Sequence, residues 1–447
     1  MRLELRSFPP VVLAVLLGIS PLAFSQSTPD SLADSASSHT RTRAVSITLS
    51  PSTFSIGAGA NLQLTATVSG SSNKSVTWKV NGIANGNTTV GTVDTASGYF
   101  FAPSTLPSPS TYTITATSAA DTSKSASSTV SVLPTDPVGA VTASKTVRCP
   151  AGGLSGGTCY LLTVACDNTA NFSSYVKVNT APSPLGVVMF GIGTGGSGLY
   201  ETDFIFGQTA VQNVLNAGYT TAQISFGAPF VSNQPNGWLQ GPGGERRLAC
   251  RYAATANWVS STVLKDKTKP LCATGNSGGS AVIAYALSEY GLAGTLSMVE
   301  LTSGPPMAHI DNGCLCNQPT VMTQCGQGIL SQCYSLLEAS ILDPAWSQPR
   351  CTNEIKHKTQ TVDPALFLSD SVLAPGASYN YAKTYVNMIF GGLDTSSAVP
   401  QGQLFYDSIT SQKSEGCVAD APHAVPNVQD GATQISNDLI NLCRVQP

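Results

Sequence analysis

The sequence predicts a multidomain chain: an all-β sandwich followed by an α/β domain whose mainly parallel sheet carries helices on both faces and a cysteine-rich lid insertion. Three observations predict it. Residues 44–134 hold short period-two runs broken by Gly, Asn and Pro, the pattern of half-buried strands. From residue 147 onward, short apolar runs alternate with Ala- and Leu-rich stretches of helical composition, which calls for a parallel sheet with crossover helices. All 12 cysteines lie from Cys149 onward, so only the second region is cross-linked. A length of 447 residues exceeds one ordinary core.

Residues 1–25 read as a signal peptide. Arg2 and Arg6 precede an apolar run from Val11 to Leu22, and Ala23 and Ser25 are small residues before a cleavage point near Ser25/Gln26. That run is shorter than the roughly 20 apolar residues of a membrane span. A secreted or periplasmic protein with disulfides is therefore expected, without a membrane span. Charged residues make up 11% of the chain, the net charge is −3 and no block of Lys or Arg occurs, which excludes an electrostatic nucleic-acid binder. Residues 26–43, rich in Ser, Thr and Asp, read as a disordered linker that contains His39.

Residues 44–134 read as an antiparallel sandwich in which Trp78 packs between sheets and Tyr112 suits a tyrosine corner. The stretches around Leu62-Gln63-Leu64-Thr65, Val76-Thr77-Trp78 and Thr111-Tyr112-Thr113-Ile114 resemble bacterial immunoglobulin-like modules. The resemblance implies a spacer or an adhesive unit, with surface or glycan contact as its alternative use. Residues 135–146 are expected to be a linker.

Within residues 147–447, strands are expected near 160–166, 174–179, 186–193, 221–226, 271–275, 294–301, 385–394 and 415–419. Helices are expected at 206–217, 249–263, 401–409 and 429–442, and after residue 277. Residues 305–381 interrupt the alternation and read as the lid. Cys314, Cys316, Cys325 and Cys333 cluster there, but paired C-x-x-C knuckles are absent, so no metal and no cofactor is expected.

The chemistry concentrates at Gly275-Asn276-Ser277-Gly278-Gly279. With 41 glycines in the chain the bare G-x-S-x-G pattern is weak. Its position between a strand and a helix makes it a nucleophile-elbow candidate. A serine needs a base and the base needs an orienting group. His423, after the last strand, is the candidate base in preference to His309 and His357. Asp394, at the end of the preceding strand, is the candidate acid, ahead of Glu300, Asp311 and Asp420. One oxyanion donor is expected from the N–H of Gly278, after the serine; the loop Gly191-Ile192-Gly193-Thr194-Gly195-Gly196 resembles the His-Gly-x-Gly-Gly type loop of α/β-hydrolases, and that resemblance implies the N–H of Thr194 as the second. That loop also spells G-x-G-x-x-G, but the expected helix begins only at Phe206, too late to receive a pyrophosphate. Cys417 and Cys443 bracket His423, and Cys250 and Cys272 bracket the approach to the elbow; each pair is expected to be bridged.

The elbow, Gly391-Gly392-Leu393-Asp394 and Ala421-Pro422-His423 resemble the α/β-hydrolase superfamily in motif and in the order Ser, Asp, His. The resemblance implies a serine hydrolase cleaving carboxylic esters, small or polymeric, through an acyl-enzyme, with a peptidase as alternative. A non-catalytic adhesive or scaffold protein is the third reading.

Overall fold

The structure is a computed structural model that describes residues 43–230, 237–318, 320–357 and 363–444. The expected signal peptide and nearly all of the linker with His39 lie outside the described residues. Residues Ala44–Pro447 make up one unit by contact, so the sandwich and the α/β layers share a body.

Strand alternation builds the sandwich. In Thr111–Ser118 the side chains of Tyr112, Ile114, Ala116 and Ser118 are buried in turn while their neighbours face outward. They meet Trp78, Val80, Phe100 and Val130 in one apolar core, with Trp78 between the sheets as expected. One sheet has five strands, ordered Thr53–Gly57, Ser125–Leu133, Thr111–Ser118, Val76–Val80, Ile83–Ala84; the facing one has four. Two expectations change. The sandwich is not purely antiparallel, because Thr53–Gly57 runs parallel to Ser125–Leu133. Tyr112 Oη bonds the carbonyl of Val90 at 2.5 Å, 22 residues upstream, which ties distant segments rather than forming a corner.

Among the described residues the second region is built on a nine-stranded sheet. Its spatial order is Ala140–Val147, Thr158–Ala165, Phe172–Asn179, Thr220–Phe226, Val187–Gly191, Leu271–Asn276, Met298–Thr302, Tyr385–Gly391 and Lys413–Val418. Pairing is antiparallel as far as Thr220–Phe226 and parallel beyond it. Part of the expected linker 135–146 is therefore strand. Ala140–Val147 is an exposed polar edge, with nothing in its pattern to mark it as sheet.

Period two assigns the faces. Val187 and Met189 point into one core with the helices Cys250–Trp258 and Gly278–Ser288. Val188 and Phe190 point into the other, against Gly207–Asn216 and Gln429–Leu442. The same geometry corrects the expected disulfides. Cys250 lies in the first core and Cys272 in the second, so the sheet separates them. Cys417 neighbours Val418, which faces the second core with Cys443, so Cys417 points the opposite way. The bridges formed are Cys166–Cys250, Cys272–Cys443 and Cys325–Cys417, with Cys149–Cys159, Cys314–Cys351 and Cys316–Cys333.

The insertion contains the helices Ile310–Leu315, Leu336–Leu342, Arg350–His357 and Asp363–Asp370 and a hairpin of Thr320–Met322 with Ile329–Ser331. Among the described residues no helix is long and apolar enough to cross a membrane.

The sandwich does not hang free as a spacer would. Arg246 donates to Asp136 at 2.6 Å and to the carbonyl of Ala58 at 3.0 Å, and pairs with Glu289 at 2.8 Å. Asp136 also accepts the Gly57 N–H at 2.7 Å. Arg246 and Glu289 are buried, and a buried charge persists only when paired and hydrogen-bonded.

Candidate active site

Ser277 stands between the strand Leu271–Asn276 and the helix Gly278–Ser288 with φ +54° and ψ −117°, a conformation side chains rarely adopt. Surrounding bonds hold it there. Its N–H donates to the Thr302 carbonyl at 2.9 Å, and Ser280 Oγ donates to the Ser277 carbonyl at 2.5 Å. Glycine is required on both sides: a Cβ on Gly275 would lie 2.5 Å from the backbone of Gly279, and one on Gly279 would lie 2.7 Å from the carbonyl of Ile192.

Gly278 is packed tighter still, because its Cβ would meet the Thr194 carbonyl oxygen at 2.0 Å. The loop bearing Thr194 thus lies backbone to backbone on the first turn of the helix, whose first N–H groups have no partner within the helix. Thr194 itself has φ +51°, and its carbonyl accepts from Trp238 Nε1 at 3.3 Å. A short helix, Tyr200–Asp203, begins earlier than the helix expected at Phe206.

Asp394 and His423 meet through two turns pressed together. A Cβ on Gly391 would lie 2.4 Å from the Pro422 carbonyl, and one on Gly392 2.5 Å from that of Ala419. The Leu393 N–H donates to Ala421 at 3.0 Å. Across this junction His423 Nδ1 lies 2.8 Å from Asp394 Oδ2, and the other carboxylate oxygen accepts the Ser396 N–H at 3.0 Å. Burial alone would raise the Asp394 pKa, but the His423 bond and charge and the Ser396 bonds together hold it below the ordinary carboxylate value.

Ser277 and His423 line the same space. One cavity of about 440 Å³ adds Gly193, Thr194, Ser197, Asp203 and Asn276; a second, of about 230 Å³, adds Gly278, Met307, Leu337, Ile341 and Leu342. The helix Leu336–Leu342 of the insertion lines the second, and its Glu338 accepts from Ser397 Oγ at 2.6 Å.

The other candidates sit elsewhere. Glu300 is buried within its strand and accepts from Asn387 at 3.0 Å; burial first, and the nearby Asp438, push its pKa well up. His309 pairs with Asp311 at 3.2 Å, and neither lines either cavity. Asp420 and His357 are exposed. Sequence reasoning missed Ser396, Trp238 and the Glu338–Ser397 contact. Only Ser396 carried a signal, the Asp-x-Ser spacing of a local turn.

No family model matches the chain, and no curated protein matches it. Among solved structures it is similar to acetyl xylan esterase 1 from a Thermoanaerobacterium species, at 14% identity over 66% of this chain and 87% of that one, TM-score 0.42. It is likewise similar to an acetyl xylan esterase from a Paenibacillus species, at 12% identity over 66% and 88%, TM-score 0.43. Est1E from Butyrivibrio proteoclasticus matches at 9% identity over 63% and 98%, TM-score 0.38. In strand order and in the strand–turn–helix that holds Ser277, the chain has a mainly parallel sheet of the α/β class.

Proposed function

We propose that this chain is an exported serine hydrolase that cleaves carboxylic esters through an acyl-enzyme, with Ser277 as nucleophile, His423 as base and acid, and Asp394 as its orienting group. The observation that carries the reading is the bond of 2.8 Å from His423 Nδ1 to a buried Asp394, on a histidine that shares its cavity with a serine held at φ +54°.

With Nδ1–H given to Asp394, Nε2 is the nitrogen left to take the Ser277 proton. The Ser277 oxygen forms a bond to the ester carbonyl carbon, and the carbonyl electrons move onto its oxygen. The N–H groups of Gly278 and Thr194 are assigned to that oxyanion. Collapse breaks the bond to the alcohol, which leaves with the proton from His423. Water then takes the alcohol's place, gives a proton to His423, and releases the acid from Ser277. Six disulfides support an oxidising compartment, as the signal-peptide reading of residues 1–25 requires.

Fluorophosphonate labelling followed by peptide mapping tests the assignment. Label on Ser277, and loss of p-nitrophenyl ester turnover in Ser277→Ala, are the expected results; an active Ser277→Ala enzyme ends the reading. A parallel assay on peptide substrates separates esterase from peptidase.

A further inference from the structure

The β-sandwich reaches the helix Leu336–Leu342 through three side chains. Asn61, opening the strand Asn61–Gln63, donates from Nδ2 to Asp370 Oδ1 at 2.8 Å and to Ser369 Oγ at 2.9 Å. Asp370, the last residue of the helix Asp363–Asp370, accepts at its other oxygen from Trp346 Nε1 at 2.8 Å. Trp346 ends the turn Asp343–Trp346, which continues directly from the lid helix Leu336–Leu342. All three side chains are buried, at 4%, 1% and 5% exposure, so each bond lacks competition from water. The turn is held from below as well, by the N–H groups of Gly241 and Gly244 on the carbonyls of Pro344 and Ala345 at 3.0 and 2.9 Å.

We propose that Asn61 is a positioning residue for substrate selection: through Asp370 and Trp346 it sets where Leu337, Ile341 and Leu342 lie over the apolar cavity, and so how well long acyl groups bind. The proposal rests on the ester-hydrolase reading above. An acetyl group carries only one methyl beyond the ester carbonyl and so has little apolar surface to bury against the lid helix. An octanoyl group carries six more methylenes, whose burial depends on the placement of that helix. The sandwich is thereby part of the substrate site without contributing a group to the reaction.

The test uses the full-length chain with p-nitrophenyl acetate and p-nitrophenyl octanoate. In Asn61→Ala the octanoate kcat/KM is expected to fall about tenfold, through KM, while the acetate value stays within about twofold. Trp346→Phe keeps the ring packed against Phe367, at 5.1 Å between centroids, and removes only the N–H. It is expected to give the same split, and it reads the proposal even where Asn61→Ala folds poorly. The double variant is expected to be no worse than the poorer single one, because both cut one path. An octanoate-to-acetate ratio unchanged from wild type in both variants overturns the proposal, as do additive losses. Neither result touches the hydrolase assignment, which fails only if Ser277→Ala keeps its turnover.

Discussion

The α-carbon of Gly278 faces the Thr194 carbonyl so closely that a methyl group there would sit 2.0 Å from the oxygen. No side-chain rearrangement relieves a clash with backbone. Gly278→Ala must therefore push the loop of Thr194 away from the helix and separate the two N–H groups assigned to the oxyanion. The expected loss in kcat is about 100-fold or more, the scale of removing one oxyanion donor, with KM little changed. Steady-state kinetics on a short ester read it.

Asp394→Asn keeps the shape of the acid but allows its amide to donate toward His423, which favours the wrong tautomer. A loss of about 10⁴ in kcat is expected. The pH dependence has a defined sign. A carboxylate whose folded pKa is depressed adds stability above its unfolded value, about 3.9, and loses it as pH falls through the lower folded value. Urea titrations between pH 3 and 6 should show wild type losing this increment on acidification and the variant lacking it.

The Cys272–Cys443 bridge spans 171 residues and joins the strand before Ser277 to the residue after the last helix. Closing so long a loop restricts the unfolded chain strongly. Replacing both cysteines by serine should cost up to about 5 kcal/mol in denaturant unfolding. Non-reduced peptide maps should recover Cys272 with Cys443 and Cys325 with Cys417.

Arg246→Met leaves Asp136 and Glu289 buried without their cation. A loss of about 3–5 kcal/mol is expected, the scale of breaking a buried pair at one end. A loss below about 1 kcal/mol by urea unfolding would mean that the sandwich junction contributes little.

What the sequence made legible was local. The elbow could be read because Gly275, Ser277 and Gly279 sit where a strand composition gives way to a helical one, and sterics at each can be argued from a few neighbours. His423 and Asp394 were selected by the rule that working residues gather at the carboxyl ends of parallel strands, and the structure brings the two within 2.8 Å of each other. Disulfide partners were not legible. Cys250 and Cys272 are 22 positions apart in sequence yet lie on opposite faces of the sheet. The edge strand Ala140–Val147 was hidden by its own exposure, since a solvent-facing strand of Thr, Ser, Lys and Ala has the composition of a linker. The docking of the sandwich was equally invisible. Arg246 reads as one basic residue in a weakly charged chain until Ala58, Asp136 and Glu289 surround it.

Ser397 lies three positions after Asp394 and is bonded to Glu338 of the helix Leu336–Leu342 at 2.6 Å. On the proposed reading, the helix that lines the apolar cavity and the turn that presents the orienting carboxylate are fastened to each other by this bond, so a displacement of either is passed to the other.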